Sequence, residues 1–133
     1  FLIAWVCGGF LYFAQADSNY GKYVWKSTLD KKSGVLKVQG AGHNPWQFGW
    51  VTVSTQAVEY LEAGTNLGPV IIYLNKSKGW TVVRLQYNTG RLENVRQFSQ
   101  PVRIIRVGKY GVIIGVGNDV YDYSWNQCKK MAK

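Results

Sequence analysis

Cys7 and His43 are the residues of this chain whose types suit nucleophilic catalysis, and His43 is its single histidine. A thiolate attacks only where a base or a positive field favours it, so His43 would have to be that base. It sits in Gly42-His43-Asn44-Pro45-Trp46, a turn setting in which a histidine ordinarily serves as a polar loop residue. A lone histidine cannot make a His-rich metal site and no Cys-x-x-Cys pair exists, so neither a structural zinc nor a cofactor is expected. No P-loop, dinucleotide-binding glycine pattern or Gly-x-Ser-x-Gly elbow occurs. Asp119 and Asp122 are neighbours in sequence, whereas glycosidase carboxylates come from separate elements flanking a bond.

The run Cys7-Gly8-Gly9-Phe10 is similar to the Cys-Ser-Gly-Phe start of NlpC/P60-type cysteine peptidases over four residues. That resemblance implies a cysteine at a helix start and a histidine on a later strand. Here no histidine follows residue 43, and a Gly-Gly pair is a poor helix start. The stretch Lys109–Cys128 superficially resembles the end of profilins, without that family's amphipathic helices upstream.

Binding chemistry is better represented. The chain carries 16 Lys and Arg against 7 Asp and Glu, a net charge of +9 that favours anionic partners. Charge is unevenly placed: Val38–Asn75 holds no Lys or Arg, and Arg84, Arg91, Arg96, Arg103 and Arg106 then fall close together with Glu93 between them. Trp80, Tyr87 and Phe98 are interleaved. Arginine forks suit phosphate and carboxylate, and neighbouring aromatics suit stacking. Trp80, Arg84, Tyr87, Arg91, Arg96, Arg103 and Arg106 are therefore the candidate binding residues. Strand alternation puts Trp80, Val82, Arg84 and Gln86 on one face and Thr81, Val83, Leu85 and Tyr87 on the other. By the same rule Arg103 and Arg106 fall on opposite faces of their strand.

The elements that must position these residues read as antiparallel hairpins. Asp17–Gly21, Asp30–Gly34 and Asn75–Gly79 each run Asp or Asn, three residues, then Gly, the chemistry of a tight turn. Gly108-Lys109-Tyr110-Gly111 joins two further β-prone runs, and fifteen glycines fit many such turns. Ser54–Ala63 is expected to be a helix capped by Ser54 or Thr55 and stopped by Gly64. Arg91–Phe98 is a weaker helical candidate, and Ser124–Lys133 fits a last helical turn or two. The fold class expected is mainly β, a sandwich, small barrel or α+β roll, with one or two short helices.

Residues 1–16, FLIAWVCGGFLYFAQA, carry no charge and are short for a membrane span. They end in Ala14-Gln15-Ala16, the small-x-small pattern of a leader site. Gly8-Gly9 between apolar runs also reads as a hairpin, so an ordered hairpin or an anchor to membrane or partner is expected. Residues 17–133 read as a single β-rich domain. Cys7 and Cys128 lie near opposite ends, and a disulfide between them would contribute about 4–5 kcal/mol in the chain-entropy model.

These readings favour a non-enzymatic binding or assembly module, extracytoplasmic or at a membrane or particle surface, docking an anionic polymer or a protein. A homo-oligomer or larger assembly through residues 1–16, and membrane contact, are the associated expectations. A small cysteine hydrolase using Cys7 and His43, and a nucleic-acid binder through Arg84–Arg106, are the alternatives.

Overall fold

Turn chemistry decides where the strands end. In the computed structural model, which describes residues 23–42 and 48–132, Asp30 Oδ1 accepts the backbone N–H groups of Lys32 (3.0 Å) and Ser33 (3.3 Å). Gly34 closes that turn at φ +82°. Asn75 Oδ1 does the same for Ser77 (2.9 Å) and Lys78 (3.0 Å), with Gly79 also at +82°. Lacking a Cβ, glycine takes this left-handed backbone at little cost. A third turn of the same build is opened by glutamine: Gln86 Oε1 accepts from Asn88 and Thr89, and Gly90 closes it. The Asp17–Gly21 turn, the 1–16 segment and His43 lie outside the described residues.

Between the turns run eleven strands among the described residues. β1 (Tyr23–Asp30), β2 (Val35–Gly42) and β3 (Phe48–Ser54) form a first sheet. β4 (Ala57–Thr65), β5 (Gly68–Asn75), β6 (Gly79–Leu85) and β7 (Leu92–Phe98) form a middle sheet. β8 (Val102–Val107), β9 (Gly111–Val116), β10 (Asp119–Ser124) and β11 (Cys128–Lys130) form a third. Each sheet is an antiparallel meander in chain order.

The mainly β class holds, but no helix occurs among the described residues. The segment expected to be a helix over Ser54–Ala63 is instead the end of β3, a short link and most of β4. Its Ala, Leu and Glu favour a helix only weakly, and strand pairing overrides them. Leu61 pairs with Ile72 and Ala63 with Val70, and Gly64 sits buried opposite Pro69 within the ladder. The other two helical candidates become β7 and β11 for the same reason, each paired to its neighbour.

The three sheets stack face to face. Ile71, Tyr73, Val83 and Leu85 of the middle sheet pack against Trp25, Leu36, Val38 and Val53 of the first. On its other face Ala63, Val70, Ile72 and Val82 pack against Val102, Val112, Ile114 and Tyr123 of the third. The described chain is thus neither a two-sheet sandwich nor a closed barrel nor an α+β roll, because one sheet is covered on both sides. Composition follows position: β5 is buried from Gly68 through Tyr73 on both faces, as a central strand must be. The first sheet alternates instead, with Leu36 and Val38 inside and Lys37 exposed.

This arrangement makes a direct prediction. Ile71→Ala and Ile72→Ala point to opposite faces, yet each is expected to cost about 2–5 kcal/mol. Urea unfolding of both variants checks it. If one of the two is silent, one face of the middle sheet is not a core.

Candidate binding surface

The candidate residues divide between core and surface. β6 sorts as alternation requires: Trp80 and Val82 join the core with the third sheet, while Val83, Leu85 and the following Tyr87 join the core with the first. Trp80 is half-buried, and its backbone pairs with that of Phe98. The Phe98 ring meets Tyr121 edge-on at 5.1 Å between centroids. Trp80 and Tyr87 are accordingly packed side chains and do not form an open stacking platform.

Arg84 points to the same face as Val82 and is buried, at 4% exposure. A cation there must be paired. Its guanidinium donates to Glu93 and to the Leu67 carbonyl oxygen. Glu93 also accepts from the exposed Arg91 at 3.2 Å. Beside this pair, β7 bulges, and Asn94 takes the left-handed region at φ +54°. Its side-chain amide donates to the carbonyls of Ser124 (2.8 Å) and Gln127 (3.1 Å), and its backbone carbonyl accepts from Tyr123 Oη at 2.6 Å. The bulge therefore fastens the middle sheet to the third. Burial pushes the Tyr123 phenol well above its ordinary value, so it stays a hydroxyl donor across the usual pH range. Tyr123→Phe is expected to cost about 1 kcal/mol, the net worth of one such bond, in a thermal melt. A loss above roughly 3 kcal/mol would mean the ring, and not the hydroxyl, is displaced.

A second polar link joins the first and middle sheets. Ser27 Oγ donates to Glu62 Oε2 at 2.7 Å and lies 2.8 Å from Tyr60 Oη. Since the single serine proton goes to the carboxylate, Tyr60 donates to Ser27. Burial, with Glu62 adding, pushes Tyr60 up to about 12 against the lowering effect of Ser27.

Arg103 and Arg106 lie elsewhere. Strict alternation would set them on opposite faces, but a bulge between Ile104 and Arg106 corrects that reading. Arg103 pairs with Gly115 and Arg106 with Ile113, two positions apart on β9, so both arginines share the face turned away from the middle sheet. Arg103 lies across Gly115, where any Cβ would strike its guanidinium, and donates to the Gly117 carbonyl at 3.1 Å. Arg96 is exposed on β7, close enough to Tyr123 and Cys128 to act on both electrostatically. The five arginines thus do not converge: Arg84, Arg91 and Arg96 belong to the middle sheet, and Arg103 and Arg106 to the outer face of the third.

Cys128 is half-buried, and burial raises its thiol despite the lowering effect of Arg96, with Asp122 adding to the rise. Its suggested partner Cys7 lies outside the described residues. The residues described contain no group of three His, Cys, Asp or Glu side chains able to hold a metal ion. No helix among them is long and apolar enough to cross a membrane.

One set of cations lies outside the candidate binding residues, the lysines on the turns. Lys31 and Lys32 on the β1–β2 turn, and Lys76 and Lys78 on the β5–β6 turn, are all exposed. Their signal was present in the two Asp/Asn-to-Gly turns, whose interior positions are lysine-rich. Comparison with known proteins gives no family model, no curated protein and no solved structure that matches the chain.

Proposed function

We propose that this protein is a non-enzymatic binding or assembly module that docks an anionic partner outside the cytoplasm or at a membrane or particle surface. The observation that carries this reading is the unequal use of charge. Four of the six acids among the described residues are occupied within the fold: Asp30 holds its turn, Glu93 holds Arg84 and Arg91, Asp119 holds Lys130 and Glu62 accepts from Ser27. Many cations are not. Lys31, Lys32, Lys76, Lys78, Arg96 and Arg106 are exposed and form no ion pair among the described residues. A positive field left uncompensated raises the local concentration of polyanions and speeds their encounter. The uncharged apolar segment 1–16 supports the surface or extracytoplasmic setting.

The test has a catalytic and a binding arm. Iodoacetamide at neutral pH is expected to label Cys7 no faster than an ordinary thiol. Rapid alkylation that depends on His43 would replace this reading with the hydrolase. In the binding arm, the chain is expected to retain an anionic polymer at low salt and release it as salt rises. A complex with a neutral protein that is indifferent to salt would make the partner a protein docked by burial.

A further inference from the structure

We infer that the lysine-bearing turns form one site for the phosphate backbone of duplex nucleic acid, read without sequence preference. This rests on the anionic-partner reading above and assigns it a place and a ligand. The β1–β2 turn and the β5–β6 turn come from different sheets and lie 45 residues apart in the chain, counted from Asp30 to Asn75. The fold brings both against the same short link between β3 and β4. Ala57 N–H donates to the Gly34 carbonyl at 2.9 Å on one side of that link. On the other, Lys76 N–H donates to the Gln56 carbonyl at 2.9 Å, and Ser77 Oγ to Gln56 Oε1 at 2.7 Å.

The two turns are therefore tied side by side at one end of the stack, and packed sheets lie about 10 Å apart. Each turn is held by Asp30 or Asn75 accepting backbone N–H groups. The lysine side chains take no part in that work and stay exposed. Nearby acids are few. Asp30 spends an oxygen on the turn itself, the second turn uses neutral Asn75 in the same role, and Glu59 enters only two residues beyond Ala57.

Ligand class follows from what surrounds the charges. Lysine ammoniums are point charges that neutralise phosphates without fixing a planar fork. Trp80, the aromatic next to Gly79, is half-buried against the core, so the ring that adjoins this turn in sequence is taken up by packing and is not free to stack an unpaired base. Single strands gain much of their affinity from such stacking. Duplex backbone needs none of it, and its charge density of about one per 1.7 Å suits two neighbouring ridges of cations.

The experiment is fluorescence anisotropy of the full chain with a labelled 20-base-pair duplex between about 50 and 200 mM salt. Four neutralised phosphates give a slope of log affinity against log salt near −3.6, a weakening of about 100-fold over that range. The variant K31Q/K32Q/K76Q/K78Q is expected to bring the slope close to zero with an unchanged thermal melt. R103Q/R106Q is expected to change it by less than about one unit. If the arginine variant abolishes binding and the lysine variant does not, this site is wrong while an anionic partner stands. If wild type binds phosphatidylserine vesicles but not duplex, the ligand assignment is overturned. If neither duplex, single strand nor vesicle binds at 50 mM salt, both readings fall.

Discussion

Glu93→Leu is expected to destabilise the fold by about 3–5 kcal/mol, the cost of stripping a buried charge of its partner. The reason lies in the asymmetry of the pair. The Arg84 side chain is 5% exposed and that of Glu93 25%. Without the carboxylate, Arg84 keeps the Leu67 carbonyl as its hydrogen-bond acceptor, and its Nε is already a buried donor with no partner among the described residues. Arg84→Met is expected to be milder, about 1–2 kcal/mol, since the flexible thioether fills the site. The remaining Glu93 keeps both water and Arg91 within reach. Urea midpoints of the two variants and of the double variant decide the matter. Equal losses, or a larger loss for Arg84→Met, would show that the guanidinium is not the costly member.

Gly68→Ala is expected to be comparably severe, a loss of at least about 2–4 kcal/mol from forbidden backbone and overlap together. Gly68 sits at φ +117°, and a Cβ built there runs into the carbonyl oxygen of Leu85 on β6's end. No side-chain rotation relieves a clash with backbone. The position also holds the Thr65 Oγ1 bond to the Gly68 carbonyl at 2.8 Å, which shapes the β4–β5 turn. By contrast Gly49→Ala meets open space and serves as the control. Similar midpoints for the two alanine variants would refute the strain argument.

How much of this was legible in sequence depends on whether the signal was local. The Asp30–Gly34 and Asn75–Gly79 turns are written in four or five consecutive residues, and the structure keeps both. The Gln86–Gly90 turn uses the same hydrogen bonds, but a glutamine in place of Asp or Asn hides it. β4 could not be read locally, because Ala57–Ala63 has helix-forming composition and its strand state is imposed by pairing with β5. The face assignments along β6 needed only alternation and are right, whereas one extra residue at Ile105 moved Arg106 to the other side. The unbroken Val70–Tyr73 run carried the mark of a strand buried on both faces, and so of the middle of a stack.

For the candidate site, residue type alone misdirects. Arginine-rich sequence suggests a surface for ligands, yet Arg84 is inside and Arg91 and Arg103 are engaged by neighbours. Whether a cation is consumed depends on contacts such as Arg84 with Glu93 across β6 and β7, which a turn-level reading does not contain.

The middle sheet also has a consequence for how the chain folds. Every strand pairs with one adjacent in the chain, so each sheet closes through short loops and can zip early. Such a sheet with two apolar faces has no stable free existence in water, since either face left bare is a patch that attracts other chains. β4–β7 therefore becomes durable only once β1–β3 and β8–β11 have both docked. During synthesis the first sheet emerges early enough to cover one face, but the other stays bare until β11 is released. The interval between those events is when this protein is most exposed to aggregation, and a chaperone would act most usefully there.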